Sequence, residues 1–191
     1  MTDPIHLALI YGSTRQGRFC DVVAAWAAEQ VRASGKFSLD LIDPAKIPPG
    51  LAAHAGDANS SPSLWQRMAA AHAFLVVTPE YNHGYSAPLK SLIDSVSQEW
   101  HAKPVAFVSY GGVSGGLRAV EQLRLVFAEL HAVTIRDSVS FAGAWEQFDS
   151  SGRLMQPDRH NRSMAAMLHR LHWWAVALGN ARTETPYAPA A

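Results

Sequence analysis

Phe74-Leu75-Val76-Val77-Thr78-Pro79-Glu80-Tyr81-Asn82-His83-Gly84-Tyr85-Ser86-Ala87-Pro88 is the stretch on which the fold turns. An apolar run the length of a buried strand enters a loop rich in Pro, Gly and aromatic residues. A helix start then follows. Ser86 is a natural N-cap, and Pro88 sits just inside the helix, where its missing N–H costs nothing. Two other apolar runs behave alike: Leu7 to Tyr11 enters Gly12-Ser13, and Val105 to Tyr110 enters Gly111-Gly112.

Helical periodicity fills the intervals. Phe19, Val22, Val23, Trp26 and Gln30 or Val31 form one apolar stripe, and Leu117, Val120, Leu123, Phe127 and Leu130 a second. A third stripe, Met164, Met167, Leu168, Leu171, Trp174 and Leu178, is expected to stop at Gly179-Asn180. Phe37 to Ile42 alternates apolar and polar residues as a half-covered edge strand does, and Val133 to Phe141 supplies a fifth strand. Five β/α units imply right-handed crossovers and a three-layer α/β/α fold around a parallel sheet. Ligands of such sheets bind beyond the carboxyl ends of the strands, where the strand order reverses.

The chain has 191 residues, 16 Lys plus Arg against 16 Asp plus Glu, and hence no formal net charge. That balance argues against a polyanionic partner, whether nucleic acid or membrane surface. The expected organisation is one domain over residues 1–180 and a loose Ala/Pro-rich tail over 181–191. Charged residues are only 17%, below the ~25% usual for soluble domains, so part of the surface is expected to face another chain. Cys20 has no partner for a disulfide, no apolar run reaches the ~18 residues of a membrane span, and no basic-apolar leader opens the chain. The expected compartment is the cytoplasm.

Three strand-end loops carry the chemistry. Gly12-Ser13-Thr14-Arg15-Gln16-Gly17-Arg18 joins a strand to a helix N-terminus, where free N–H groups, two hydroxyls and two guanidiniums suit a phosphate; a helix cap with solvated arginines is the plainer reading. Its glycine spacing approaches that of nucleoside-triphosphatase phosphate loops, but Arg18-Phe19 stands where Lys and a hydroxyl belong. The G-x-G-x-x-G dinucleotide fingerprint is also missing from it. The Thr78 to Pro88 loop offers backbone donors to the edge of a flat heterocycle and Tyr81 or Tyr85 to its face, or else plugs the sheet end with aromatics. Ser109-Tyr110-Gly111-Gly112-Val113-Ser114-Gly115-Gly116 removes side chains where something large approaches the backbone. Together the three make one composite pocket.

At these residues the sequence resembles the NADPH-dependent FMN reductase family of flavodoxin-like flavoproteins, which includes quinone, chromate and azo-dye reductases. The resemblance rests on Gly12 to Arg15 with Arg18, on Thr78 to Gly84 followed by Pro88-Leu89-Lys90, and on Gly111-Gly112 with Gly115-Gly116 and Arg118. It implies a five-stranded sheet in the order 2-1-3-4-5, noncovalent FMN, and a homodimer or dimer of dimers. Ser13, Arg15, Gly17 and Arg18 would hold the FMN phosphate. Pro79, Glu80, Tyr81, Asn82 and His83 would line the ring, with Ser109, Tyr110, Gly111 and Gly112 on its other side. The implied activity is hydride transfer from NADPH or NADH through flavin N5 to a small acceptor such as a flavin, quinone, azo compound or metal oxyanion, in ping-pong fashion and without a dedicated acid or base. An FMN-holding electron-transfer or redox-sensing module without pyridine-nucleotide turnover is the alternative, and a flavin-free regulator that binds a nucleotide phosphate is a third. Walls of the acceptor site are expected from Pro48 to Pro62 and a neighbouring subunit. Cys20 reads as a small buried hydrophobe, the scattered histidines as structural, and Trp173-Trp174 as one core ring and one outer ring.

Overall fold

The computed structural model of the protein describes residues 4–47 and 62–187. Its strands are β1 (Ile5–Tyr11), β2 (Phe37–Ile42), β3 (Ala73–Pro79), β4 (Pro104–Gly111) and β5 (Val133–Ala142). All neighbours are parallel, in the order β2-β1-β3-β4-β5. Central strands read as unbroken apolar runs because both faces are covered: every residue of β3 and β4 is buried. Edge strands β2 and β5 are only partly buried, which explains their mixed sequences.

Side-chain alternation divides the core into two layers. Leu7, Leu9, Leu75, Val77, Ala106 and Val108 pack beneath helices α1 (Cys20–Ala33) and α5 (Pro157–Glu184). Ala8, Ile10, Phe74, Val76, Val105 and Phe107 point the other way, toward α2 (Leu64–Ala70), α3 (Ala87–Asp94) and α4 (Leu117–Glu129). Trp100 anchors that second layer, 4.4 Å from the Phe74 ring and 5.0 Å from Phe127. Burying each such large side chain contributes roughly 1.5–3 kcal/mol.

Local signals act as their chemistry dictates. Ser86 caps α3 by accepting from Leu89 N–H, and Pro88 occupies its first turn. Helix α2 has no legible stripe at seven residues, yet Ser63 and Gln66 close a reciprocal capping box at its start. Trp174 is half-buried against the core and Trp173 is exposed.

Two expectations need correction. Helix α5 does not stop at Gly179-Asn180 but continues to Glu184, so residues 181–184 are not tail. The ~1 kcal/mol cost of a helical glycine is outweighed by good helix formers after it and by the Arg182 guanidinium, which donates to the Ala102 carbonyl. Tyr187 beyond it hydrogen-bonds His131 at 2.8 Å. Leu117, first of its stripe, is exposed, and the inner face of α4 is Ala119, Val120, Leu123 and Phe127. Of the Pro48 to Pro62 segment, residues 48–61 lie outside the described residues. Among the described residues no helix is long and apolar enough to cross a membrane.

Candidate functional site

The chain leaves β1 to build β2 on one side and returns to place β3 on the other, so the strand order reverses between β1 and β3. The loops after β1, β3 and β4 all open at this end.

In the first loop Ser13 is fully buried, and its hydroxyl lies 2.8 Å from the Tyr81 hydroxyl of the second. The Arg15 guanidinium sits 3.6 Å over the Tyr81 ring, a cation–π contact, and has no acidic partner among the described residues. The N–H groups of Thr14, Gln16 and Gly17 make no hydrogen bond to the described residues. Gly17 has φ +64° with open space around it, so it serves the turn rather than a close packing contact. Free amides, one hydroxyl and one guanidinium therefore converge just before α1.

Arg18 is placed differently from expectation. Its guanidinium forks onto Asp43 at 2.8 and 2.6 Å, also pairs with Asp21 at 2.8 Å, and donates to the Ser13 carbonyl. The Arg18 and Asp43 side chains are only 8% and 6% exposed. Arg18 thus pins the first loop to the end of β2 and has little capacity left for a ligand. Burial raises the Asp43 carboxyl, but the Arg18 hydrogen bonds outweigh it and hold the group below 3.8.

The second loop is a tight two-residue hairpin: Tyr81 N–H donates to Gly84 carbonyl at 2.9 Å and Gly84 N–H to Tyr81 carbonyl at 3.1 Å. Asn82 and His83 at its tip take φ +50° and +74°, are exposed, and leave their amides without partners among the described residues. Pro79 ends β3, buried and paired with Tyr110. Glu80, expected at the ring, is a clamp. Its carboxylate, 5% exposed, accepts from Ser114 hydroxyl at 2.6 Å and Arg118 N–H at 3.1 Å, and pairs with the Arg118 guanidinium. Burial works against its charge, and Ser114 and Arg118 more than compensate, lowering its pKa. The second and third loops are tied together by it.

In the third loop the Ser109 hydroxyl is turned inward to the Gly115 carbonyl at 2.8 Å, and the Tyr110 ring is buried near Phe19 with its hydroxyl unpartnered among the described atoms. Only the backbone of these two can meet a ligand. Gly115 and Gly116 are required by the fold itself, since a Cβ on Gly116 would lie 2.7 Å from Ser109 Cβ at φ +85°. Gly112 alone faces open space, and Gly111 packs against Gly116. Cys20 is buried and its thiol is pushed up to about 11 chiefly by burial, the behaviour of a packed hydrophobe.

Sequence reasoning missed Asp43, which belongs to no motif, and gave Ser114 no role within the third loop; each is found only by the partner it neutralises or clamps.

A doubly wound parallel sheet in the order 2-1-3-4-5, with an anion cradle at its switch point, defines a flavodoxin-like protein. The chain belongs to the NADPH-dependent FMN reductase family, whose model matches residues 5–146. It is 31% identical to an NAD(P)H-dependent FMN reductase of Pseudomonas aeruginosa over 93% of this chain and 99% of that protein. It is 35% identical to one of Schizosaccharomyces pombe, with 58% of this chain and 60% of that protein matched, so the match spans about three fifths of that relative. Among solved structures it is similar to a flavoenzyme NAD(P)H:(acceptor) oxidoreductase from Paracoccus denitrificans, with a TM-score of 0.68, 20% identity and coverage of 91% and 98% of the two chains. At that identity the likeness concerns the fold.

Proposed function

We propose that the protein is an FMN-dependent NAD(P)H oxidoreductase that passes reducing equivalents to a small acceptor. The observation that carries the reading is the first loop: the amides of Thr14, Gln16 and Gly17 and the Arg15 guanidinium, none of them paired among the described residues, and the Ser13 hydroxyl fit a phosphate monoester on several sides at once. The exposed hairpin tip, whose Asn82 and His83 amides have no partner among the described residues, and the open space at Gly112 support the same reading for the ring.

In this reading Ser13, Arg15 and Gly17 hold the phosphate, and Arg18 with Asp43 fixes their loop. Tyr81 and the Asn82-His83 tip orient the ring, with the Ser109 to Gly112 backbone opposite. Glu80 keeps the two ring-facing loops at a constant separation. Held by these residues, FMN would supply the hydride-transfer chemistry between the pyridine nucleotide and the acceptor. The chain's part is to bind, orient and shield, so no side chain is assigned as acid or base. Donor and acceptor use one face in turn, which gives ping-pong kinetics. The scarcity of charged residues supports a homodimer or dimer of dimers, and the lone buried Cys20 a cytoplasmic setting.

The test is the absorbance spectrum of protein loaded with FMN, followed anaerobically as NADPH or NADH is added. Bleaching of the flavin bands and reoxidation by a quinone are expected. Protein that ignores FMN overturns the cofactor assignment, and bound flavin that neither nucleotide bleaches favours the electron-transfer alternative.

A further inference from the structure

A cleft of about 860 Å³ opens behind the third loop, between edge strand β5, the first turn of α4 and the start of α5. Its volume falls in the range of small-molecule sites, and none of the residues assigned above to FMN lines it. Its chemistry is mixed in an ordered way. Leu117 and Met155 give an apolar wall, and Ser140 offers a hydroxyl on the β5 side. His160 and Arg159 close it from α5.

The cation of the cleft is Arg159. Arg159 is exposed and makes no ion pair with the described residues. The His160 ring is stacked flat on Phe141, with centroids 4.3 Å apart and planes at 13°, and its Nδ1 is buried without a hydrogen-bond partner among the described atoms. Glu146 also lines the cleft, a carboxylate that accepts from hydroxyls and opposes a ligand that is anionic throughout. A ligand with a flat ring, neighbouring hydroxyls and a phosphate at one end satisfies all of these groups.

Two residues of the cleft wall are hydrogen-bonded to the third loop, the loop that the flavin reading sets at the ring. Gly143 N–H donates to the Gly112 carbonyl at 2.9 Å, and the Ser140 hydroxyl donates to the Gly115 carbonyl at 2.9 Å. A dinucleotide with one end at the ring-facing side of this loop therefore has its other end near the cleft.

We infer that the cleft takes the adenosine-phosphate arm of the reduced pyridine nucleotide, with Arg159 on a phosphate, Glu146 and Ser140 on the ribose hydroxyls, and Leu117, Met155 and the His160 imidazole around the adenine. The inference rests on the oxidoreductase reading for its ligand, but its test separates the two. Isothermal calorimetry is run with 2′,5′-ADP and with 5′-AMP against the FMN-loaded protein and its Arg159→Ala variant. Binding of 2′,5′-ADP is expected, weakened about tenfold or more in the variant, as the loss of a charge-assisted hydrogen bond requires. Tighter binding of 2′,5′-ADP than of 5′-AMP assigns Arg159 to the 2′-phosphate and equal binding assigns it to the 5′-phosphate; either supports the site. No binding of either compound, or binding indifferent to Arg159→Ala, overturns it. In steady state, the variant should also narrow the KM difference between NADPH and reduced nicotinamide mononucleotide, which lacks the adenosine. Nucleotide oxidation with a KM insensitive to Arg159 sinks the cleft and leaves the oxidoreductase; Arg159-dependent 2′,5′-ADP binding in a protein that oxidises neither nucleotide does the reverse.

Discussion

Asp43→Ala separates two roles for Arg18. The Arg18–Asp43 fork is buried on both sides, at 8% and 6% exposure, with contacts of 2.8 and 2.6 Å. Removing one partner of a buried pair costs about 3–5 kcal/mol, because a charge is left desolvated. Here Arg18 keeps Asp21, whose side chain is 59% exposed, so the lower end applies: about 3 kcal/mol. For a chain of this length that is a fall in Tm of ~6–12 °C. Asp21→Ala, which breaks only the exposed arm, should cost under ~1 kcal/mol. Asp43 has a depressed pKa, so its stabilisation is fully present above about 3.8 and is lost as pH falls; the gap between wild type and Asp43→Ala must therefore close below that point. Urea denaturation from pH 7 down to about pH 2 measures this directly. Equal losses in the Asp21 and Asp43 variants, or a gap that widens in acid, refute the buried-fork account. FMN titration completes the test: if Arg18 only fixes the loop, Asp43→Ala weakens FMN binding, whereas an Arg18 released onto the phosphate would leave it unchanged or tighter.

Other outcomes follow from the same structure. Arg15→Ala should weaken FMN binding roughly tenfold to a hundredfold with little change in urea midpoint, and an unchanged Kd by fluorescence quenching would remove Arg15 from the phosphate. Lys103, buried with its amine donating to the Met68 and Ala69 carbonyls at 3.1 and 2.9 Å, is pushed down from 10.5 to about 8 by burial. An unfolded chain then takes up this proton first, so stability is highest above 10.5, falls by roughly 3 kcal/mol as pH drops to about 8, and is level below. The stability difference between wild type and Lys103→Met should follow that curve; a difference flat between pH 8 and 10.5 counts against it. Gly116→Ala should cost about 2 kcal/mol or more, from positive φ and contact with Ser109, while Gly17→Ala, equally left-handed but in open space, should cost about 1 kcal/mol. Comparable thermal shifts in the two would show that steric contact is not the difference.

The fold was legible because its signals are local and redundant. β1, β3 and β4 are buried on both faces and so read as apolar runs, and each is followed at once by its loop. Ser86 and Pro88 mark a helix start by chemistry that needs no tertiary context. At the candidate site Ser13, Arg15 and Tyr81 come from two of the loops legible in the sequence and touch one another. What the sequence hid is pairing across distance. Arg18 and Glu80 are donor and acceptor types suited to a ligand, and nothing in their neighbours reveals that Asp43, 25 residues away, and Arg118, 38 away, already occupy them. The end of α5 was misread for a related reason, since Arg182 meets Ala102 from 80 residues away.

The contact of Ser13 and Arg15 with Tyr81 joins the two ends of the proposed cofactor through the protein. In the proposed reading, a phosphate that draws Arg15 off Tyr81 would free the face of that ring for the heterocycle. Phosphate and ring are then read cooperatively. Riboflavin, lacking the phosphate, would lose the phosphate contacts and also the freed Tyr81 face, so discrimination between the two flavins should exceed what the severed hydrogen bonds account for alone.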